Sequence, residues 1–283
     1  LVYRGDTCLM GESGDRQSKK QALYDILATF DRVYVAFSGG VDSAYLLAAC
    51  LDVLGADKVL ALTIDSPLLP PAELETAREI ASLLGARQRV VPFDELEVDG
   101  VVANPPRRCY HCKKARFEML VALAKELNGG HLLHGENADD QEDYRPGSVA
   151  ARELGVRAPL AEAGLTKHDI RRLSQERGLP GWDRPASACL ATRFPYGTSL
   201  TREGLERVEA AEKFLHDLLP FSQLRVRDHH PVARIEVPPH RVKDLAQRDL
   251  REAIAKGLRE VGYRYVALDL EGYRMGSMNE SIK

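Results

Sequence analysis

Short apolar runs alternate with longer stretches of helical hydrophobic periodicity through the first two-thirds of the chain. The apolar runs predict four strands, at residues 33–37, 58–64, 87–91 and 131–134. The periodic stretches predict helices at residues 43–54, 71–84 and 113–127. Strands separated by helices indicate a doubly wound α/β domain around a parallel sheet, in which ligands bind at the carboxyl ends of the strands.

The pattern changes after Pro185. The predicted elements beyond it are a helix at 201–218, short strands at 224–227 and 233–237, a helix at 241–260 and a strand at 264–268. This order predicts a smaller C-terminal α+β domain. We therefore expect a nucleotide-binding domain at 19–185 and a second domain for substrate binding or oligomerisation at 186–283. Residues 1–18 are interpreted as a leader or remnant outside the fold, because the chain opens with Leu and residues 11–20 are polar.

Composition narrows the class of protein. The 283 residues are 44% hydrophobic and 29% charged, which is ordinary for a globular protein, and the net charge of −3 provides no general attraction to nucleic acid. No apolar run is long enough to span a bilayer. The odd number of cysteines, 5, argues against a disulfide framework and favours the reducing cytoplasm. We expect neither a nucleic-acid nor a membrane partner.

Residues 38–43, here called the phosphate loop, read Ser-Gly-Gly-Val-Asp-Ser and lie between the first predicted strand and the first predicted helix. Glycines allow backbone N–H groups to approach an anion closely, and a helix N-terminus adds partial positive charge. Ser43 is expected to cap the helix and Ser38 to add a hydroxyl donor. No Gly-Lys-Ser/Thr follows, so the loop is not a Walker A motif. It resembles the loop of the PP-loop ATPases, which split ATP into AMP and pyrophosphate.

A second polar loop, residues 135–140, follows the fourth predicted strand and contains Glu136, Asp139 and Asp140. Carboxylates beside a phosphate site are suitable ligands for Mg²⁺. A solvated turn rich in Asp and Asn is the alternative. The position at the carboxyl end of a strand favours the functional interpretation.

Cys109 and Cys112 form a CxxC pair with basic residues on both sides, which favours the thiolate form. The pair is compatible with a zinc site, a redox disulfide or part of an iron–sulfur site. Cys189 is the remaining cysteine in a motif-like setting. Three thiolates could bind three irons of a four-iron cluster, whereas Cys189 could also be an unrelated buried residue.

Further motifs point to a family. Residues 144–147 read Tyr-Arg-Pro-Gly, residues 193–198 read Arg-Phe-Pro-Tyr-Gly-Thr, and residues 225–227, 233–236 and 262–266 form late charged and aromatic segments. With these and the phosphate loop, the chain resembles the LarE family from about residue 20 to 280. Members are ATP-dependent sulfur transferases that help to build the nickel-pincer cofactor of lactate racemase.

The resemblance implies a reaction. Family members adenylate a carboxylate of pyridinium-3,5-biscarboxylic acid mononucleotide and convert it to a thiocarboxylate. One type sacrifices its own cysteine sulfur, and the other carries three cysteines that hold a [4Fe–4S] cluster able to carry an extra sulfide. With its CxxC pair and one cysteine before residues 193–198, this chain resembles the cluster type.

The resemblance also implies roles for individual residues. The ATP phosphates would be held by Ser38, Gly39, Gly40, Asp42 and Ser43, with Mg²⁺ as the accompanying ion. Transfer of sulfur would depend on Cys109, Cys112, Cys189 and Arg193, and the substrate would bind Arg225 and Arg227. A divalent ion would be held by Glu212, Glu236 and Asp244.

Two other functions remain open from the sequence. A tRNA thiolase of the same superfamily would use the same activation on a base carbonyl, but the acidic net charge opposes it. A nucleotide-binding redox sensor would use Cys109 and Cys112 as a reversible disulfide. We expect a cytoplasmic homo-oligomer whose partners are the mononucleotide and sulfide or a sulfur donor.

Overall fold

The structure is a computed structural model that describes residues 6–142, 146–185, 187–220 and 223–274. The helices in the described residues are α1 (Asp6–Ala28), α2 (Val41–Leu54), α3 (Pro71–Leu83), α4 (Asp99–Val102), α5 (Arg108–Glu126), α6 (Ala138–Glu142), α7 (Pro146–Glu153), α8 (Pro159–Glu162), α9 (Lys167–Glu176), α10 (Arg202–Leu218), α11 (Val242–Leu245) and α12 (Arg248–Glu260). The strands are β1 (Val33–Ala36), β2 (Val59–Asp65), β3 (Arg87–Pro92), β4 (His131–His134), β5 (Arg225–His229), β6 (Val232–Glu236) and β7 (Tyr265–Leu268). Tyr144 and Arg145 of the family pattern and Ala186 at the predicted domain boundary lie outside the described residues.

The chain forms two compact units. The first unit comprises residues 1–66, 71–93 and 109–187, and the second comprises 67–70, 94–108 and 188–283. Residues 67–70 and 94–108, the two early segments of the second unit, were predicted to belong to the nucleotide-binding domain. They join the second unit through backbone pairing with residues far along the chain: Leu190 N donates to Leu68 O over 2.8 Å, and Leu200 N donates to Val102 O over 2.8 Å.

The first unit contains a four-stranded parallel sheet in the order β3-β2-β1-β4. Alternate residues of β1 enter different cores: Val35 packs with α1, α2 and α9, whereas Tyr34 packs with α5. Helices therefore cover both faces, and the predicted doubly wound α/β class is confirmed. The chain order reverses between β1 and β4, which is the place where such sheets bind ligands.

The N-terminal helix α1 differs from the sequence expectation. Residues up to 18 were expected to lie outside the fold, but α1 begins at Asp6. Arg16 forms an ion pair with Glu176 at 3.0 Å, and Leu23 and Leu27 are fully buried in the core of the first unit. This helix was not predicted because residues 11–20 are polar, and a polar helix lacks the hydrophobic periodicity from which helices are predicted.

The second unit contains a three-stranded sheet in the order β5-β6-β7. Strands β5 and β6 pair antiparallel, and β6 and β7 pair parallel. The core includes Leu215 of α10, Val226 of β5, Ile235 of β6 and Leu258 of α12. The single helix predicted at 241–260 is divided into α11 and α12, because Gln247 has an extended backbone and begins α12 as its N-cap. No helix in the part of the chain that the structure describes is long and apolar enough to cross a membrane.

Candidate functional site

The phosphate loop joins β1 to α2 by a tight glycine turn. Gly39 has φ +75°, and a Cβ atom there would lie 2.9 Å from Cα of Ala77 on α3. A side chain at this position would therefore be strained by its backbone conformation and by its neighbour. Gly40 is the N-cap of α2, whose first residue is Val41. The free N–H groups of the first helical turn make this end of the helix suited to an anion.

The two serines of the loop hold it in shape. Ser43 Oγ donates to Gly40 O over 3.0 Å and lies 3.2 Å from Ser38 Oγ. Ser38 Oγ also accepts from Gly40 N over 3.3 Å. Ser43 was expected to cap the helix, but it is the third helical residue and bonds back to the cap residue instead. The predicted phosphate-binding residues thus lie together in one turn.

The polar loop after β4 lies directly against the start of α2. A Cβ atom on Gly135 would be 2.9 Å from Ser43 N, so the two loops approach at backbone distance. Asn137 and Asp140 close this loop: the backbone N–H of each donates to the side chain of the other, both over 3.2 Å. Of the predicted acidic cluster, Asp140 is thereby brought beside the phosphate loop.

Lys167, which the sequence analysis missed, contacts the phosphate loop. Its Nζ lies 2.6 Å from Oδ2 of Asp42, and its backbone N donates to Oδ2 of Asp139 over 2.8 Å. Burial raises the pKa of Asp42 above its usual range, and the nearby Lys167 ammonium opposes that shift. Asp42 Oδ1 is buried and has no partner in hydrogen-bonding geometry among the described residues, although the nearby Asn137 side chain also opposes the rise in the pKa of Asp42. An unpartnered, buried carboxylate oxygen beside a phosphate site is a suitable ligand for Mg²⁺.

His134 and Glu136 occupy the buried end of β4. Their side chains are about 6–7% exposed, and His134 Nε2 lies 3.6 Å from Glu136 Oε2. Burial, followed by the charge of Lys113, lowers the pKa of His134 to about 3. His134 is therefore neutral at physiological pH, and this contact is not a charged pair.

The CxxC pair lies inside a helix. Cys109 and Cys112 are in the first turns of α5, which begins five residues before the predicted start at 113, so their side chains project from one face. Neither forms a disulfide, and Cys109 is exposed whereas Cys112 is half-buried. Cys50 is fully buried, and burial raises the pKa of its thiol, so it is an unreactive core residue.

Cys189 is a half-buried free thiol in the second unit and precedes a short 3₁₀ turn, Leu190–Arg193. Arg193 at the end of that turn donates from Nη1 to the carbonyl oxygens of Ala188 and Cys189, over 2.8 and 3.1 Å. Arg193 thus holds the backbone of Cys189 in place. Cys109 and Cys112 belong to the first unit.

Two of the predicted functional arginines, Arg193 and Arg227, are paired in the second unit with two of the three predicted metal carboxylates, Glu212 and Glu236. Arg193 makes a two-bond contact with Glu212, over 2.9 and 2.8 Å, with side chains 3% and 9% exposed. Arg227 Nη2 donates to Glu236 Oε2 over 2.7 Å, also in a buried setting. Glu212 and Glu236 are therefore neutralised by arginine in this structure.

Arg225 differs from these two arginines. Its Nη1 donates to Leu224 O over 2.6 Å, its guanidinium lies 5.6 Å from the ring centre of Tyr273, and the described residues give it no ion pair. Burial lowers the pKa of Arg225, and the neighbouring Arg193 lowers it further. A partly buried guanidinium without a carboxylate partner is suited to an anionic ligand.

Asp244, the third carboxylate predicted to hold a divalent ion, lies on α11 and contacts Arg241 at 3.2 Å. Within the described ranges, no three His, Cys, Asp or Glu side chains are grouped closely enough to hold a metal ion. The divalent-ion and cluster assignments stay predictions.

Comparison with known proteins agrees with this geometry. The PP-loop domain family matches residues 13–144. An uncharacterised protein of Synechocystis is 42% identical over 266 residues, which are 94% of this chain and 98% of that protein. The pyridinium-3,5-bisthiocarboxylic acid mononucleotide synthase of Lactiplantibacillus plantarum is 40% identical over 265 residues, 94% of this chain and 95% of that enzyme. The tRNA-specific 2-thiouridylase of Xanthobacter autotrophicus is 29% identical over 221 residues, 64% of this chain and 56% of that enzyme.

Proposed function

The chain belongs to the LarE family of ATP-dependent sulfurtransferases, and we propose that it replaces a carboxylate oxygen of pyridinium-3,5-biscarboxylic acid mononucleotide with sulfur in nickel-pincer cofactor synthesis. The observation that carries the proposal is the phosphate loop at the reversal point of the parallel sheet. There the N-terminus of α2 and the glycine turn supply the N–H donors that hold an ATP phosphate chain.

The first half of the reaction activates the carboxylate. A carboxylate oxygen of the substrate attacks the α-phosphorus of ATP, the bond from that phosphorus to the bridging oxygen breaks, and pyrophosphate leaves with the electron pair. Asp42 Oδ1 is buried and has no partner in hydrogen-bonding geometry among the described residues, which fits a role in holding Mg²⁺ against the phosphates. Adenylation converts the carboxylate oxygen into part of a good leaving group.

The second half brings sulfur to the activated carbon. Hydrosulfide attacks the carbonyl carbon, the bond to AMP breaks, and a proton is released as the thiocarboxylate forms. The residues that would hold a [4Fe–4S] cluster are Cys109, Cys112 and Cys189, none of which forms a disulfide and all of which are at least partly accessible. When bound, such a cluster supplies the sulfide at the one iron that has no cysteine ligand.

Arg225 supports a substrate that carries a phosphate and carboxylates. It is the predicted substrate residue without an ion pair among the described residues, so a ligand anion need not displace an acidic side chain. Arg227 is already bonded to Glu236 and to Thr192 O, and would help mainly by fixing the edge of the site.

The activation step is tested by supplying Mg-ATP and the biscarboxylic mononucleotide to the anaerobically purified chain. We expect release of AMP and pyrophosphate that depends on the mononucleotide, and a product whose mass matches exchange of oxygen for sulfur. ATP binding without pyrophosphate release would contradict the proposal and support the redox sensor.

The sulfur source is tested on the same preparation by absorption spectroscopy and iron analysis. We expect about four irons per chain, lost in Cys109→Ser, Cys112→Ser and Cys189→Ser. Cys50→Ala is the matched control, because Cys50 is a free cysteine in a buried apolar setting, and it should retain the iron. A colourless protein whose Cys189 loses the mass of H₂S after turnover would establish the sacrificial route instead.

The tRNA thiolase alternative is tested by measuring tRNA binding, because a tRNA 2-thiouridylase aligns with 64% of this chain. We expect no measurable tRNA binding even at low salt, where phosphate contacts are strongest. Tight, salt-sensitive tRNA binding would make the mononucleotide the wrong acceptor.

A further inference from the structure

Arg108 is a buried arginine whose contacts are with neutral groups. It is the first residue of α5 and the last residue of an early segment of the second unit, and it is 2% exposed. Its Nη1 donates to Oδ1 of Asn104 and, over 3.0 Å, to the carbonyl oxygen of Ala191, and its guanidinium lies 6.0 Å from the ring centre of Tyr196. The described residues give it no acidic partner. Burying a guanidinium without a carboxylate costs folding free energy, which indicates a role other than stability.

Asn104 orients this arginine and is itself held firmly. It is fully buried, and its φ of +50° lies in the left-handed region that residues other than glycine seldom adopt. Its Nδ2 donates to Pro195 O over 2.8 Å, and its backbone oxygen accepts from Gly197 N over 2.9 Å. The segment before α5 is therefore bonded to residues 195–197 through Asn104 and to Ala191 through Arg108.

Both bonded segments lead directly to cysteines of the predicted cluster. Cys109 follows Arg108 in the chain, so their Cα atoms are about 3.8 Å apart. Cys189 lies two residues before Ala191, whose carbonyl oxygen accepts from Arg108. Arg193 holds the same turn by donating to the carbonyl oxygen of Cys189 over 3.1 Å. One buried side chain thus connects the residue that precedes the CxxC pair with the turn that carries the third cysteine.

We propose that Arg108, oriented by Asn104, is a positioning residue that fixes the first residue of α5 to the turn carrying Cys189 before any iron is bound. The inference deepens the proposed function and rests on its three-cysteine sulfur site. A site whose ligands are already in place binds without the entropic cost of ordering its loops, and such ligands depend on buried hydrogen bonds behind them.

The charge of Arg108 is also suited to this place. Three thiolates and a hydrosulfide are anionic ligands, and a nearby positive charge that no carboxylate neutralises favours the thiolate form. Arg107 carries the same charge one residue earlier but is exposed. Comparison of the two arginines therefore separates the effect of position from the effect of local charge.

The test measures which cysteines lie close together in the chain without iron. The full chain is purified anaerobically, freed of iron and treated with dibromobimane, which bridges two thiols only when they are near each other. Peptide mapping by mass spectrometry then gives the ratio of bridges that include Cys189 to the local bridge between Cys109 and Cys112. The local bridge is an internal control for thiol reactivity.

In Arg108→Gln this ratio should fall at least about fivefold, because reaction between two groups depends steeply on their fixed separation. Iron bound after reconstitution with iron and sulfide should fall from about four per chain to fewer than about one. Arg107→Gln is the matched control and should change neither quantity.

Asn104→Gly is the second variant, used where thermal unfolding shows that Arg108→Gln is not recovered folded. Glycine adopts the left-handed backbone of this position readily, and the change removes the Oδ1 acceptor while the arginine stays in place. The bridge ratio should fall at least about threefold in this variant. An unchanged ratio would show that the cysteines are held without this pair.

Three results overturn the inference: an unchanged ratio in Arg108→Gln, an equal loss in Arg107→Gln, which would assign the effect to local charge, and a parent chain in which Cys189 forms no bridge to the CxxC pair. A parent chain that forms these bridges and loses them in Arg108→Gln, but binds no iron, would support the inference and contradict the cluster of the proposed function. The two failures are therefore distinguishable.

Discussion

The buried charges are paired incompletely at the phosphate loop of the first unit and completely in the arginine–glutamate cluster of the second unit. This cluster consists of the pairs Arg193–Glu212 and Arg227–Glu236. At the phosphate loop, Asp42 is buried, one of its oxygens has no partner in hydrogen-bonding geometry within the described ranges, and its ion-pair partner Lys167 is partly exposed. In the second unit, Glu212 makes a two-bond contact with Arg193, and both side chains are less than 10% exposed. The first arrangement leaves coordination open for a ligand, whereas the second is closed within the protein.

This difference separates residues that serve binding from residues that serve the fold. A buried ion pair loses much stability when one partner is removed, because the other charge is left desolvated. A buried acid that is incompletely paired already destabilises the folded state, so its removal is tolerated. The same change from acid to amide should therefore have opposite effects in the two units.

The largest effect on stability is expected for Glu212→Gln. The amide cannot neutralise Arg193, and the free energy of unfolding should fall by about 3 kcal/mol, as measured by urea denaturation. Glu252→Gln is the matched control, since its pair with Arg248 is exposed and should change the free energy by less than about 1 kcal/mol. Equal losses of unfolding free energy in the two variants would mean that the buried pair stabilises the fold no more than an exposed pair does.

Asp42→Asn should show the reverse pattern. The amide has no charge to hold Mg²⁺, and the rate of pyrophosphate release should fall at least about 100-fold. The free energy of unfolding should stay equal to that of the parent chain or rise, because a desolvated charge is removed and Lys167 can turn toward solvent. A strongly destabilised Asp42→Asn variant would place this residue with the structural pairs and break the comparison.

A smaller effect, on pH dependence, follows from two histidines. Folding lowers the pKa of His134 from 6.5 to about 3, so the folded chain excludes a proton that the unfolded chain binds. The stability that His134 gives is present above pH 6.5 and is lost as the pH falls toward 3. His134→Gln should therefore flatten the fall in unfolding free energy across this range, measured by denaturation at a series of pH values.

His229 in the second unit provides the control for that measurement. Burial, followed by Arg234, also lowers its pKa, but the group is much less buried than His134. His229→Gln should flatten the same curve less. A larger change for His229 than for His134 would contradict the assignment of the acid-sensitive core to the end of β4.

The sequence predicted the first of the two regions far better than the second. The apolar run of β1, the glycines and the start of α2 are contiguous, so the phosphate loop was recognised from local pattern alone. The pairing of Arg193 with Glu212 joins a 3₁₀ turn to a helix 19 residues away, and neither residue has a local signal for it. Family resemblance identified both residues but assigned Arg193 to sulfur transfer and Glu212 to a divalent ion, rather than to each other.

Two other features escaped the sequence for physical reasons. The CxxC pair was placed before the helix because residues 107–114 are polar, yet α5 begins at Arg108. Lys167 was not singled out from the sequence, since its contact with Asp42 depends on the packing of α9 against α2. Hydrophobic periodicity does not predict such contacts, because it indicates which face of a helix is buried and not which polar side chains meet there.

The smallest effect on stability is expected for Arg225→Met, within the same cluster as Arg193. Burial lowers the pKa of Arg225, and the described residues give it no ion pair, so the fold gains little from its charge. The free energy of unfolding should change by less than about 0.5 kcal/mol, while the KM for the mononucleotide rises and the KM for ATP stays unchanged. Arg225 would then be the one predicted substrate arginine that behaves like the phosphate loop rather than like its neighbours. A loss of stability comparable with that of Glu212→Gln, with no change in either KM, would assign Arg225 to the fold.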